Sequence, residues 1–315
     1  MKQLPTIDWL MQGDPVIRWQ TMRDLCSEPA PVWEAERQRQ IIDGWSAQFL
    51  QALLPDGTWP DGRWTGTLWT LLTLIDCGIP ADEPRVLHAA THFLDGSLTP
   101  ERAASNKWLL TQMDLCHLGF WLRIGAYFVG THDRLMIVAE TLLRQQMPDG
   151  GWNCRMRTNP KTHHSSFHTT FNVLEGLRVA AAAGIISQQV FRECETRAME
   201  FMLVHQMYRS DHTGEVIDAR FTHLTFPSHW HYTVLRGLDY MRETPEIGDP
   251  RLNDAIELLE SRRRADGCWP VEKRIVGTEL FDMEKFGGIS RWNTLRALRV
   301  LRCRAQATGN LASTL

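Results

Sequence analysis

The feature that most constrains this fold is a short phrase that recurs where helical patterns stop. "LLPDGTWPDGRW" (53–64), "QQMPDGGWNC" (145–154) and "RRRADGCWPVEK" (262–273) each end a helical run with Asp-Gly, place a tryptophan two residues after the glycine, and precede another helix. Gly57, Gly150 and Gly267 are expected to supply the left-handed backbone that stops a helix. "HQMYRSDHTGEV" (205–216) is a degenerate fourth copy. One helix pair cannot bury its own apolar face, so a repeated pair requires a stacked or closed array, and closure removes the exposed ends.

Between these phrases apolar residues recur at three- and four-residue spacing, as in "GTLWTLLTLIDCG" (66–78), "DRLMIVAETLLRQQ" (133–146), "FNVLEGLRVAAAAG" (171–184) and "RWNTLRALRVLR" (291–302). Alternating strand-like runs are almost absent. The pattern predicts about eleven or twelve helices of roughly 12 to 20 residues. It predicts an all-α protein and one domain across residues 1–315.

With 43% hydrophobic and 23% charged residues, the chain can bury a substantial core. A net charge of −3 is too small to steer it toward nucleic acid or an anionic membrane. No apolar run reaches the roughly 18 residues of a membrane span, and "MKQLPTIDWLMQGD" lacks the unbroken apolar core of a signal peptide. Seven cysteines, odd in number and scattered through helical patterns, suit reduced thiols in a cytoplasm. Thirteen tryptophans and twelve histidines exceed what packing alone needs.

The Q-x-x-x-D-G-x-W-like phrases resemble the repeats of the terpenoid cyclase and protein prenyltransferase superfamily. The best copy is "QQMPDGGW", with Gln145 and Trp152 at its ends, and the resemblance runs from about residue 45 to 303. "IDWLMQGDPVIRWQTMRDL" and "FPSHWHYTVLRGLDYM" resemble small stand-alone bacterial squalene-cyclase-like proteins. The resemblance implies an (α/α) toroid of about six helix pairs, with an inner parallel ring inside an outer ring. Function does not follow from such a fold, and the site residues must carry it.

In a toroid, residues at one offset from each inner-helix start share one level of the cavity. Four starts align on a threonine: "TGT" (65–67), "HTT" (168–170), "HYT" (231–233) and "WNT" (292–294); "CHL" (116–118) fits with Leu118 in its place. Two residues earlier stand Thr65, Cys116, His168, His231 and Trp292, while Cys154 follows Trp152 in the loop at the same end. Thiolate and imidazole are ligands that zinc prefers. Cys154, His168 and His231 are therefore the expected zinc ligands, with Cys116 as a fourth ligand or a wall. Without metal, His168 and His231 become an acid–base pair.

Tyr232 is the candidate proton donor. Trp64, Trp152, Trp230 and Trp292 are candidate walls for an apolar substrate, and Arg155 a partner for an anionic group on it. Converging helix N-termini favour such a group, although Asp61, Asp149, Asp282 and Glu284 share the same loops with Arg63, Arg157, Lys161 and Arg291. His163 reads as surface, and Ser165 or Ser166 as a helix cap.

The chain departs from each precedent that the resemblance offers. The D-x-D-D segment with which class II cyclases protonate an alkene is absent. Prenyltransferase β-subunits have a "GGF" loop followed by zinc ligands, similar to "GGWNCRMRTNPKTHHSSFH" at Gly150, Gly151 and the position of Trp152, but their D-x-C pair reads as missing here. Lanthionine synthetase cyclases, which hold zinc with two cysteines and a histidine, are faintly matched by "GWNC" and "LCHLG" in reversed order. The leading expectation is an enzyme acting on an isoprenoid-like or other apolar small molecule at a zinc-type site. Two alternatives stand beside it. One is an (α/α)-barrel polysaccharide lyase or hydrolase using "HWHYT" (229–233). The other is a non-catalytic binder of an apolar ligand.

Overall fold

A computed structural model of the protein describes residues 6–309. In chain order the helices are α1 (Thr6–Met11), α2 (Pro15–Thr21), α3 (Ala30–Arg39), α4 (Gly44–Gln51), α5 (Thr67–Cys77), α6 (Pro84–Ser97), α7 (Pro100–Ala104) and α8 (Asn106–Gln112). There follow α9 (Leu115–Ile124), α10 (Asp133–Arg144), α11 (Phe167–Ala182), α12 (Gln188–Val204), α13 (Val234–Met241), α14 (Asn253–Ser261) and α15 (Arg291–Thr308). π-helical turns, Met22–Cys26 and Gly125–Val129, extend α2 and α9. Among the described residues, strand structure is confined to β1 (Trp269–Pro270) paired antiparallel with β2 (Ile289–Ser290), which closes the long loop before α15. The protein is all-α in substance, as its periodicity predicts. Its helices are shorter and more numerous than expected because caps such as Ser105, which ends α7 and accepts from Trp108 N–H, split the longer runs. Among the described residues, no helix is long and apolar enough to cross a membrane.

The backbone forms two compact units. One takes the chain up to Gln51, then Cys77–Pro80, then Leu203 onward; the other is Ala52–Asp76 with Ala81–Met202.

The recurring phrase is one structural device made three times. Gly57, Gly150 and Gly267 have φ of +80°, +99° and +80°. Each donates its N–H to the carbonyl three residues earlier, in Leu54, Met147 and Arg264. The tryptophan N–H then donates to the anchor threonine of the following helix: Trp59 to Thr67 (3.1 Å), Trp152 to Thr170 (2.9 Å) and Trp269 to Thr294 (2.9 Å). The indoles of Trp152 and Trp269 also donate to carbonyls ten residues upstream, at Leu142 (2.8 Å) and Leu259 (2.7 Å). A buried indole ties the end of one helix to the start of the next. In the degenerate copy, Gln206 and Met207 carry the positive φ without a glycine, and the Tyr232 hydroxyl donates to the Met207 carbonyl at 2.8 Å.

Glycines set the tightest helix contact of the second unit. A Cβ on Gly119 of α9 would lie 2.6 Å from the Asn172 carbonyl of α11, and one on Gly176 would fall on the Gly119 carbonyl oxygen. The two backbones touch, which brings the start of α9 to the start of α11.

In the first unit, α13 and α15 meet around a buried charge cluster. Arg299 donates to both carboxylate oxygens of Asp239 at 2.5 Å and to Asp24 at 3.0 Å, and Arg296 reaches Asp239 at 2.7 Å. Burial alone would raise the Asp239 pKa, but Arg299, Arg296 and Arg242 together hold it well below the usual carboxylate range.

Candidate metal centre

Asp114 is the residue before α9, and its side chain makes no capping bond. The first-turn N–H groups of a helix need acceptors from outside it, and here Cys116 N–H finds the sulfur of Cys154 at 3.4 Å. Cys154 sits on a 3₁₀ turn, Cys154–Arg157, capped by Asn153. The loop carrying it is pinned at several points. Ser165 N–H and hydroxyl both donate to Asp149 (2.7 and 2.5 Å), Asn153 donates to the His164 carbonyl (2.7 Å), and Ser166 N–H donates to the Trp152 carbonyl (2.8 Å). Ser166 also caps α11, as expected of one of the two serines. The Thr169 hydroxyl accepts from Cys154 N–H and donates to Cys154 Sγ, both at 3.3 Å.

The sulfurs of Cys154 and Cys116 lie 3.4 Å apart, within hydrogen-bond reach. The Cys116 thiol, the Thr169 hydroxyl and the Cys116 N–H at the helix start, all directed at Cys154, lower its pKa below the ordinary thiol value, even though burial opposes this. Cys116 moves the other way: its bond to Cys154, burial and the charge on Cys154 all favour its keeping the proton.

The side chains of Asp114, Cys116 and His117 bring a carboxylate oxygen, a thiol sulfur and an imidazole nitrogen within 4.8 Å of one another. All three are half-buried. Burial lowers the His117 pKa, against the pull of Asp114, and so favours the neutral ring that binds metals. The edge of Phe120 meets the His117 ring at 5.8 Å. Arg157 donates to Asp114 Oδ1 through Nε (3.1 Å) and Nη2 (3.0 Å), orienting a carboxylate that already faces the cluster. One thiol, one imidazole and one carboxylate make up a mixed S/N/O donor set that could hold a metal ion. The residues present fit such an ion.

The structure thus unites Cys116 and Cys154 and adds two residues that the threonine register passed over. The signal for both was the string Asp114-Leu115-Cys116-His117, which contains a D-x-C pair and so corrects the expectation that this pair is missing from the sequence. His168 takes the second position of α11, as Cys116 does on α9, and its carbonyl accepts from Asn172 at 2.8 Å. It is not a member of the compact donor cluster. His231 belongs to the other unit and stands before α13, its ring stacked on Trp230 at 3.8 Å.

The remaining candidates fall into three kinds of setting. Trp152 and Tyr232 are fully buried and hydrogen-bonded to backbone carbonyls, so both act in the architecture. Trp64 is buried edge-on against Trp69 (5.1 Å), with the Arg63 guanidinium over its ring. Trp292 stacks on Phe226 at 4.8 Å beside Trp45, and its indole N–H is buried without an acceptor among the described residues. Arg155 and His163 are exposed, the latter as expected, and so is His164. The chain matches no family model, no curated protein and no solved structure.

Proposed function

We propose that this chain is a metal-dependent enzyme, with a zinc-type ion held by Asp114, Cys116 and His117, that acts on an isoprenoid-like or other largely apolar small molecule. The observation that carries this reading is the convergence of carboxylate, thiol and imidazole within 4.8 Å at the start of α9. Resemblance of the Asp-Gly-x-Trp phrases to cyclase and prenyltransferase repeats supports an (α/α) toroid and an apolar substrate. So does the tryptophan-rich composition.

Asp114, Cys116 and His117 would hold the ion, which would supply Lewis acidity toward a substrate heteroatom. The chain's own groups do the rest. Arg157 fixes Asp114, Phe120 fixes the His117 ring, and Cys154 holds the Cys116 sulfur in place through their mutual contact. His168, at the matching position of α11, is the group we assign to proton transfer. The test is the metal content of protein purified without chelator or histidine tag. About one zinc per chain is expected. A metal-free wild type, or full metal retention after Cys116→Ser with His117→Ala, would overturn the reading.

A further inference from the structure

We propose that Cys116 and Cys154 form a redox-active dithiol, which a hydroperoxide converts to an intramolecular disulfide. Both are free thiols, both are half-buried, and their sulfurs stand 3.4 Å apart although 38 residues separate them in sequence. A disulfide needs about 2.05 Å between sulfurs, so the 3.4 Å separation must close by roughly 1.4 Å. Cys154 opens a short 3₁₀ turn, and Cys116 stands in the first turn of α9.

The surroundings assign the order of events. Cys116 N–H and the Thr169 hydroxyl both donate to Cys154 Sγ, at 3.4 and 3.3 Å, and stabilise negative charge on that sulfur. Cys154 is therefore the attacking group. Its sulfur takes one oxygen of the peroxide, the O–O bond breaks, and water or an alcohol leaves, giving a sulfenic acid on Cys154. The Cys116 sulfur then attacks Cys154 sulfur; the S–O bond breaks, and the departing hydroxide leaves as water with the Cys116 proton. The two thiols have lost two protons and two electrons, all accepted by the peroxide. A further consequence rests on the metal reading above. The disulfide removes Cys116 from the donor set, leaving only Asp114 and His117.

The experiment treats reduced, metal-free wild-type protein with stoichiometric hydrogen peroxide, then digests it without reductant for mass spectrometry. Expected is a single linked peptide pair joining Cys116 to Cys154, loss of two of the seven alkylatable thiols, and reversal by dithiothreitol. In Cys116→Ser, Cys154 should stop at the sulfenic acid and react with dimedone. Linkage of any other pair, or unchanged alkylation of both residues, would overturn the proposal. Zinc titration of the reduced and oxidised forms separates the two readings, with an expected loss of affinity of at least about 100-fold on oxidation. A disulfide that forms in a protein that never binds zinc leaves the dithiol standing and removes the metal site. Zinc binding without disulfide formation does the reverse.

Discussion

The backbone N–H of Trp152 donates to the hydroxyl of Thr170 at 2.9 Å, and the same hydroxyl reaches back to the Trp152 carbonyl at 3.3 Å. This two-way clasp joins the Asp-Gly-x-Trp loop to α11, and its first half recurs at Trp59–Thr67 and Trp269–Thr294. Removing the hydroxyl by Thr170→Val leaves a buried N–H unpaired, at a cost of about 1–3 kcal/mol. Thr170→Ser keeps the acceptor and should lose much less. Urea denaturation of the two variants side by side checks this, and equal or larger loss in Thr170→Ser would show that the methyl group matters at least as much as the clasp.

The contact between α9 and α11 depends on Gly119 and Gly176 having no side chains. Gly176→Ala gains about 1 kcal/mol in helix propensity but drives a Cβ into the Gly119 carbonyl, and overpacking of this kind costs about 1–3 kcal/mol or more. Net destabilisation is expected, together with slower Cys116–Cys154 linkage as the helix starts separate. Gly96 in α6 is the control, since nothing lies within 4 Å of its added Cβ. There, alanine should leave stability unchanged or raise it.

Asp239 neutralises a cluster of arginines in the interior of the first unit. Asp239→Asn leaves Arg299 and Arg296 without their carboxylate, and breaking a buried pair from one side costs about 3–5 kcal/mol. Because its pKa is depressed in the folded state, Asp239 contributes stability that is present above its unfolded pKa of about 3.9 and is lost as pH falls toward the folded value. Thermal melts from pH 6 down to pH 3 should therefore decline more steeply for wild type than for the variant.

Asp14 carries the opposite sign. It accepts from Val16 N–H (2.9 Å) and Trp45 N–H (2.8 Å), yet burial raises its pKa to about 6 from 3.8. The folded state holds this proton more tightly, so its contribution is full below pH 3.8 and is lost as pH rises through about 6. Asp14→Asn removes the charge and keeps an acceptor. The stability difference between this variant and wild type should shift in the variant's favour between pH 4 and pH 7, read by denaturant midpoints. A difference constant with pH would count against the assignment.

At the candidate centre, single changes should act on metal without unfolding the protein, because the donors are half-buried and not in the core. Asp114→Asn, Cys116→Ser and His117→Ala are each expected to lower zinc affinity by about 10–100-fold or more. His168→Ala should leave it within a factor of about two, since His168 lies outside the donor cluster. Calorimetric zinc titrations beside circular dichroism distinguish loss of site from loss of fold.

Much of this protein was legible in its sequence. Helical spacing of apolar residues determined the all-α character, because a buried stripe at period 3.6 has no other regular solution. The three Asp-Gly-x-Trp phrases marked real junctions, since glycine at positive φ is a local requirement that sequence states directly. Three of the four shared threonines, Thr67, Thr170 and Thr294, proved to be acceptors for the tryptophan N–H groups, while Thr233 caps α13 instead. Tertiary structure decided what long-range approach decides. Cys154 meets Cys116 because Gly119 and Gly176 let two helix starts close up, and Gly176 stands far from both cysteines in sequence. Asp114 and His117 join Cys116 because the start of α9 presents neighbouring side chains around one point. A register that samples one residue per helix cannot show that.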